Sequence, residues 1–213
     1  MSARLGVDGR PAGAASSHRS LGRPSYKAAK RIIDLALAAA ALLAVMPVLA
    51  AACMAILAES PGSPLYLQWR AGRGGRPFRI VKLRTMVRGA DKLGPALTVD
   101  CDPRITRVGS VLRRWSIDEL PQLLNVLAGQ MSLVGPRPEL VAIAAGYTPR
   151  ERLVLGVRPG ITGWAQVNGR DDLSIPEKLG LELDYCGRRG LRLDLTILAR
   201  TVGVVAGGRG AKH

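Results

Sequence analysis

Apolar residues run almost without interruption from Ile32 to Ala58, "IIDLALAAAALLAVMPVLAAACMAILA", with one charge, Asp34, near the start and one proline, Pro47, past the middle. As a helix, a stretch of that length reaches across roughly 30 Å of hydrocarbon. It therefore reads as a membrane segment. Beyond it the pattern shortens. Phe78 to Leu83 alternates between turn-rich Gly and Pro, which predicts a small strand or hairpin carrying basic side chains on one face. Residues 104–115 and 117–128 read as short helices with mixed apolar and basic faces, the kind that lies on a membrane interface or on an ordinary protein surface. Gly and Pro rise again over 157–170, a loop region, and Leu191–Val205 is apolar-periodic, a last helix before a Gly-rich tail. The first 25 residues are rich in Gly, Ala, Ser, Pro and Arg without periodicity and read as a disordered basic arm. The hydrophobic stretch follows too late, and is too long, for a cleaved secretory signal. The expected organisation is an arm over 1–25, a membrane helix over 26–58, one α+β domain over 59–205 and a flexible tail over 206–213.

Flanking charge bears on how the apolar stretch meets the bilayer. Arg19, Arg23, Lys27, Lys30 and Arg31 precede it, and Arg70, Arg73, Arg76, Arg79, Lys82, Arg84 and Arg88 follow. The positive-inside rule puts both flanks in the cytoplasm, which a single crossing does not satisfy. Pro47 removes a helix hydrogen bond and leaves arms of about 11 to 15 residues, each too short to span. The expectation is a re-entrant helix-break-helix that enters and leaves on the cytoplasmic face. A tilted, Pro-kinked crossing is the competing reading.

Composition narrows the chemistry. The 213 residues suffice for one ordinary domain, and the net charge of +15 predicts an anionic partner: nucleic acid, lipid surface or phosphorylated substrate. At 4% aromatics, base-stacking platforms have little to build with, so no nucleic-acid partner is expected. Cys53, Cys101 and Cys186 are odd in number and widely spaced, which suits a reduced compartment rather than a disulfide framework. The two histidines, His18 and His213, lie in the terminal stretches. Acid, base and nucleophile must then come from carboxylates, lysines or hydroxyls, and a hard oxygen-bound cation such as Mg²⁺ is the natural metal.

Ser116-Ile117-Asp118-Glu119 fits a helix capping box, the plainer reading of these residues. Pro121, tolerated only in a first turn, argues for a helix starting at or just after Asp118, with both carboxylates beside free amides. Such a terminus favours a phosphate; a carboxylate there can attack phosphorus, and a pair can share Mg²⁺. "GPRP", residues 135–138, fixes φ on both sides of Arg137 and holds a guanidinium suited to phosphate oxygens, or forms a plain turn. Lys82, Arg84 and Arg113 are further candidates for phosphate contact, with lipid headgroups the competing partner.

Taken in order, "KRIIDLALAAAALLAVMPVL", "GSPLYLQWRAGRGGRPFRIVKLRTM", "DPRITRVGSVLRRWSIDELPQLLNVLAGQMSLVGPRPEL" and "RPGITGWAQVNGR" resemble the bacterial sugar transferases of the small, monotopic polyprenyl-phosphate phosphoglycosyl transferase type. The resemblance covers Lys30 to Arg170 and continues more loosely to residue 202. It implies a cytoplasm-facing enzyme of the bacterial inner membrane that transfers a sugar-1-phosphate from a UDP-sugar to undecaprenyl phosphate, with Mg²⁺, and so starts a lipid-linked glycan. Asp118 would be the nucleophile and Glu119 its partner, as metal ligand or base, while Lys82, Arg84, Arg113, Arg137, Gln166 and Arg170 would bind substrate. Gln130, where the family more often has an acid, and Pro176, where an aromatic-containing helix start is common, depart from its pattern. Two other readings remain. A membrane-anchored basic scaffold would use Asp118 only as a helix cap, and a lipid-carrier phosphatase would release inorganic phosphate without a nucleotide sugar. Which sugar is carried, and whether the chain dimerises, is not legible at this level.

Overall fold

The computed structural model describes residues 24–95, 98–99, 102–169 and 172–207. The expectations for residues 1–23 of the basic arm, His18, Cys101, Arg170, His213 and most of the tail therefore lie outside the described residues, while Pro24 and Ser25, expected in the arm, belong to the first helix.

The apolar stretch forms α1, a single 36-residue helix over Pro24–Glu59 with Pro47 inside it. At 1.5 Å per residue it is about 54 Å long. One helix rather than two separate arms runs through Pro47, and it packs against the domain on either side of the proline. Ala38, Ala41, Leu42 and Val45 meet one apolar cluster of the domain. Leu49, Ala52, Cys53 and Ile56 meet a second. These positions recur at three- and four-residue spacing, so they form one stripe along the helix. The opposite faces stay uncovered: Leu43 is 76% exposed and Met54 68%. The helix as a whole is apolar enough to enter a membrane.

Polar contacts fasten both ends of α1 to the domain. Near the start, Arg31 donates to the carbonyls of Val126 and Leu127, and Asp34 accepts from Ser132 Oγ at 2.7 Å and from the Leu133 amide. At the far end, Glu59 accepts the amides of Arg107 and Val108, the free donors at the start of α2 (Arg107–Arg114).

A hairpin follows α1. Strands β1 (Leu65–Ala71) and β2 (Pro77–Leu83) pair antiparallel, with Tyr66 opposite Lys82 and Trp69 opposite Arg79. The strand expected at Phe78–Leu83 is present, but its basic residues do not share a face. Arg79 and Lys82 are three apart, and a two-residue period sends them to opposite sides. Arg79 stacks on Trp69, while Lys82 turns toward Glu119. Asn125 pairs with the outer edge of β2, donating to the Arg79 carbonyl and accepting the Val81 amide. Asn125 also donates to Gln130 Oε1, an acceptor that an acid at this position would equally supply.

The two predicted short helices are both trimmed. Thr106 caps α2, which stops at Arg114. The second piece divides into a 3-10 turn, Ile117–Glu119, and α3, Gln122–Leu127. Pro121, without an N–H, stands at that division.

Within the region expected to be loop, β4 (Gly160–Thr162) runs parallel to β3 (Ser132–Val134). Gly160 makes this possible, since a Cβ there would lie 2.1 Å from the Gly135 nitrogen. Short helices α4 (Val141–Ala145) and α5 (Trp164–Val167) precede the closing pair, α6 (Ile175–Arg188) and α7 (Leu191–Ala206). Pro176 sits in the first turn of α6, where a missing N–H costs nothing, behind a Ser174–Glu177 capping box. Tyr185 and Ile197 bury Val134 of β3, and α7 starts and ends close to the expected bounds.

Candidate active site

The turn Ile117–Glu119 carries the acidic pair into the domain. Ser116, just before it, adopts φ 54°, the left-handed region, and makes no side-chain cap. The capping-box reading of this stretch is therefore not met. Ser116 is the one non-glycine with positive φ among the described residues, and such strain persists where surrounding structure imposes it. Asp118 and Glu119 are both about nine-tenths buried, yet their surroundings differ.

Glu119 is saturated with cations. Lys82 Nζ donates to Oε1 at 2.9 Å, and Arg137 donates to Oε1 at 2.7 Å and to Oε2 at 3.3 Å. Burial opposes ionisation here, but Arg137 and Lys82 together hold the carboxyl well below its ordinary value. Among the described residues no donor reaches the Asp118 carboxylate. Burial and the neighbouring Glu119 charge push it up to about 6, against the pull of Lys82, Arg113 and Arg137. The pair thus consists of a fixed anion and a carboxylate open to the cleft.

That cleft has a volume of about 910 Å³, and Lys82, Arg84, Arg113, Arg137 and both acids line it. Arg113 is oriented by Thr85 Oγ1, 2.8 Å from Nε, and by Thr98 Oγ1. Arg137 is held by its backbone as well as by Glu119, because its N–H donates to Glu182 Oε1 at 3.0 Å. Its loop leaves β3 where Gly135 approaches β4 so closely that a Cβ would lie 2.5 Å from the Arg158 carbonyl. Arg84 faces the cleft but spends its guanidinium on the carbonyls of Ser60 and Pro61, where the chain leaves α1.

Gln166 stands apart. It belongs to α5, is not part of the cleft wall, and its amide has no hydrogen-bond partner among the described residues. Arg70, Glu139, Tyr147, Lys178 and Glu182 line the cleft and were missed by the sequence reading. For Glu182 a signal exists: Leu179, Glu182 and Tyr185 form the buried stripe of α6, so an acid occupies an apolar position.

As to a metal, no cluster of three or more protein ligands occurs among the described residues. A cation shared with substrate phosphates needs only one or two carboxylates. Asp118, with an unengaged carboxylate on the cleft, fits that requirement; Glu119 already accepts two cations.

The chain is similar to known sugar-phosphate transferases. The chain is 45% identical over 181 residues to a UDP-glucose:undecaprenyl-phosphate glucose-1-phosphate transferase of Caulobacter vibrioides, covering 81% of this chain and 68% of that one. It is 39% identical over 197 residues to a UDP-N-acetylgalactosamine-undecaprenyl-phosphate N-acetylgalactosaminephosphotransferase of Aeromonas hydrophila, covering 89% and 46%. Similarity to the exopolysaccharide production protein ExoY of Sinorhizobium fredii is 35% over 204 residues, covering 89% and 90%. The profile of one family, "Bacterial sugar transferase", matches residues 25–208, and the chain belongs to that family.

Proposed function

We propose that the protein transfers a sugar-1-phosphate from a UDP-sugar to undecaprenyl phosphate, with Asp118 as nucleophile. The observation that carries this reading is the unequal acidic pair: Asp118 is unpaired by any described donor and open to the cleft, beside a Glu119 that fixes two cations.

The donor diphosphate binds among Lys82, Arg113 and Arg137, whose charges offset repulsion between Asp118 and phosphorus. An Asp118 carboxylate oxygen attacks the phosphorus that bears the sugar. A new P–O bond forms to Asp118, the bond to the bridging oxygen breaks, and UMP leaves with that electron pair. A phosphate oxygen of the lipid then attacks the same phosphorus. The Asp118–phosphorus bond breaks, and the carboxylate is restored. Glu119 acts throughout as the ionised anchor of Lys82 and Arg137 and keeps their donors aimed at the cleft. A Mg²⁺ held by Asp118 and the donor phosphates would supply further charge neutralisation.

Helix α1 delivers the lipid substrate to this site. Its uncovered apolar faces rest in lipid, while contacts near both ends tie it to the same domain. On this reading both ends stay on one side of the membrane, and the cationic flanks favour the cytoplasm as that side. Enzyme and undecaprenyl phosphate share one interface, which raises their effective concentration.

The test is UMP release by detergent-solubilised protein supplied with Mg²⁺, undecaprenyl phosphate and a panel of UDP-sugars, beside Asp118→Asn. Lipid-dependent release that the substitution abolishes is the expected result. Release that survives in Asp118→Asn overturns the assignment of the nucleophile, and no release from folded wild type overturns the transfer reaction.

A further inference from the structure

Glu182 is a buried acid that the reaction above leaves unused. It is 3% exposed on the inner stripe of α6 and lines the cleft. Its Oε1 accepts the Arg137 amide, whereas among the described residues no donor reaches Oε2. Lys178, one turn earlier, directs its ammonium to Glu139 Oε2 at 3.4 Å, and Glu139 in turn faces Arg70 at 3.6 Å. Lys178 is thus already engaged by another acid. Burial pushes the Glu182 carboxyl up to about 7, against Lys178 and the Arg137 amide.

The cleft consequently has two chemically distinct regions. Lys82, Arg113 and Arg137 surround the acidic pair and suit phosphates. Glu182, in a wall that also holds Ile143, Tyr147 and Leu179 and a Glu139 already balanced by Arg70 and Lys178, suits a group rich in hydroxyls, because its Oε2 accepts O–H. Arg137 joins the regions: its guanidinium meets Glu119 and its amide meets Glu182. A group covalently next to a phosphate on Arg137 lies within the neighbourhood of Glu182.

We infer that Glu182 Oε2 accepts a hydroxyl of the nucleotide-sugar donor and so helps to decide which donor is used. This rests on the function proposed above. Two parts of that donor carry hydroxyls, the transferred sugar and the ribose, and the experiment separates them. Glu182→Gln keeps an oxygen for the Arg137 amide and replaces the second acceptor by a donor of equal size. Relative kcat/KM for UDP-glucose, UDP-galactose, UDP-N-acetylglucosamine and UDP-N-acetylgalactosamine is measured for wild type and variant, together with inhibition by UMP and 2′-deoxy-UMP.

A site built to hydrogen-bond a hydroxyl discriminates strongly once that acceptor changes. If the sugar is the partner, the ratio between preferred and epimeric donors changes by about tenfold or more while UMP inhibition holds. If the ribose is the partner, donor ratios hold, and UMP inhibition weakens toward that of 2′-deoxy-UMP. A uniform loss with all donors and unchanged UMP inhibition overturns the inference and leaves Glu182 as a support for Arg137; so does no change at all. Glu182→Asp, which withdraws the carboxylate by one methylene, serves the same comparison where Glu182→Gln fails to fold. Absence of UMP release from folded wild type overturns the underlying function first, so the two failures are distinct.

Discussion

Arg137 closes on Glu119 as a fork, with one guanidinium nitrogen 2.7 Å from Oε1 and the other 3.3 Å from Oε2. A lysine at 137 keeps the charge and loses the second donor, so the group that faces the donor phosphates is no longer fixed in direction. Arg137→Lys is expected to lower kcat/KM for UMP release by about a hundredfold, the scale of losing one preorganised donor to a developing anion. Stability should fall by less than the ~3 kcal/mol of an abandoned buried charge, because Lys82 still pairs Glu119. Steady-state kinetics beside a thermal melt in detergent read both quantities. Wild-type kinetics in Arg137→Lys would show that the fork is dispensable.

Asp118 predicts a trade between activity and stability. Its carboxyl is raised from 3.8 to about 6, so between those values the folded state holds the proton more tightly than the unfolded chain. Native stability therefore declines as pH rises through that window and stays reduced above it. Asp118→Asn removes that cost. The variant should be more stable than wild type by about 3 kcal/mol at pH 7, with the difference vanishing below about pH 4. Activity runs the other way: the attacking form is the carboxylate, so wild-type kcat/KM should rise with pH through about 6. Melting curves from pH 4 to pH 8 test the first statement, and a variant less stable than wild type at pH 7 contradicts it.

How far the sequence carries this site depends on the range of the signals. The long apolar helix, the strand at Phe78–Leu83 and the closing helix are legible because periodicity is a local property. Asp118, Glu119, Lys82, Arg113 and Arg137 do meet in one cleft. What stays hidden is pairing across the chain. Nothing local says that Arg84 will cap the exit of α1, that Lys82 will reach Glu119 across 37 residues, or that Asn125 will stand in for a strand at the edge of β2. The packing of α1 on α2, α3 and β3 to either side of Pro47 is of the same kind, since those contacts come from distant parts of the chain. The Gly-rich segment 157–170 reads as loop because β4 is three residues long and its glycines serve close approach to β3.

Asp194 is the clamp at the start of α1. It is 5% exposed and accepts Lys30 Nζ at 2.9 Å, the Tyr26 hydroxyl at 2.9 Å and the Tyr185 hydroxyl at 2.7 Å. Asp194→Ala leaves the Lys30 ammonium with Asp34 alone, at 4.0 Å, leaves the Tyr185 hydroxyl with the Val134 carbonyl at 3.3 Å and takes the acceptor from Tyr26, and should destabilise by about 2 kcal/mol or more. Lys30→Met with Asp194→Leu removes both charges and should recover a large part of that loss. Limited proteolysis and melting in detergent decide it. Equal losses in the single and paired variants would mean that the clamp acts by shape rather than by charge.

The packing of α1 also leads to a prediction for where its ends lie. A helix about 54 Å long is more than sufficient to cross roughly 30 Å of hydrocarbon, but one stripe of α1 is covered by the domain from Ala38 to Ile56. Crossing would carry the ends to opposite sides and tear away either the Arg31 contacts with α3 or the Glu59 cap on α2. Cysteines placed at exposed Lys27 and Ser63, with Cys53, Cys101 and Cys186 replaced, report the outcome through a membrane-impermeant maleimide. In intact cells neither position should label, and in inverted vesicles both should. Labelling of one position from each side is the signature of a crossing helix. That result would require the domain contacts of one end to be broken in the membrane.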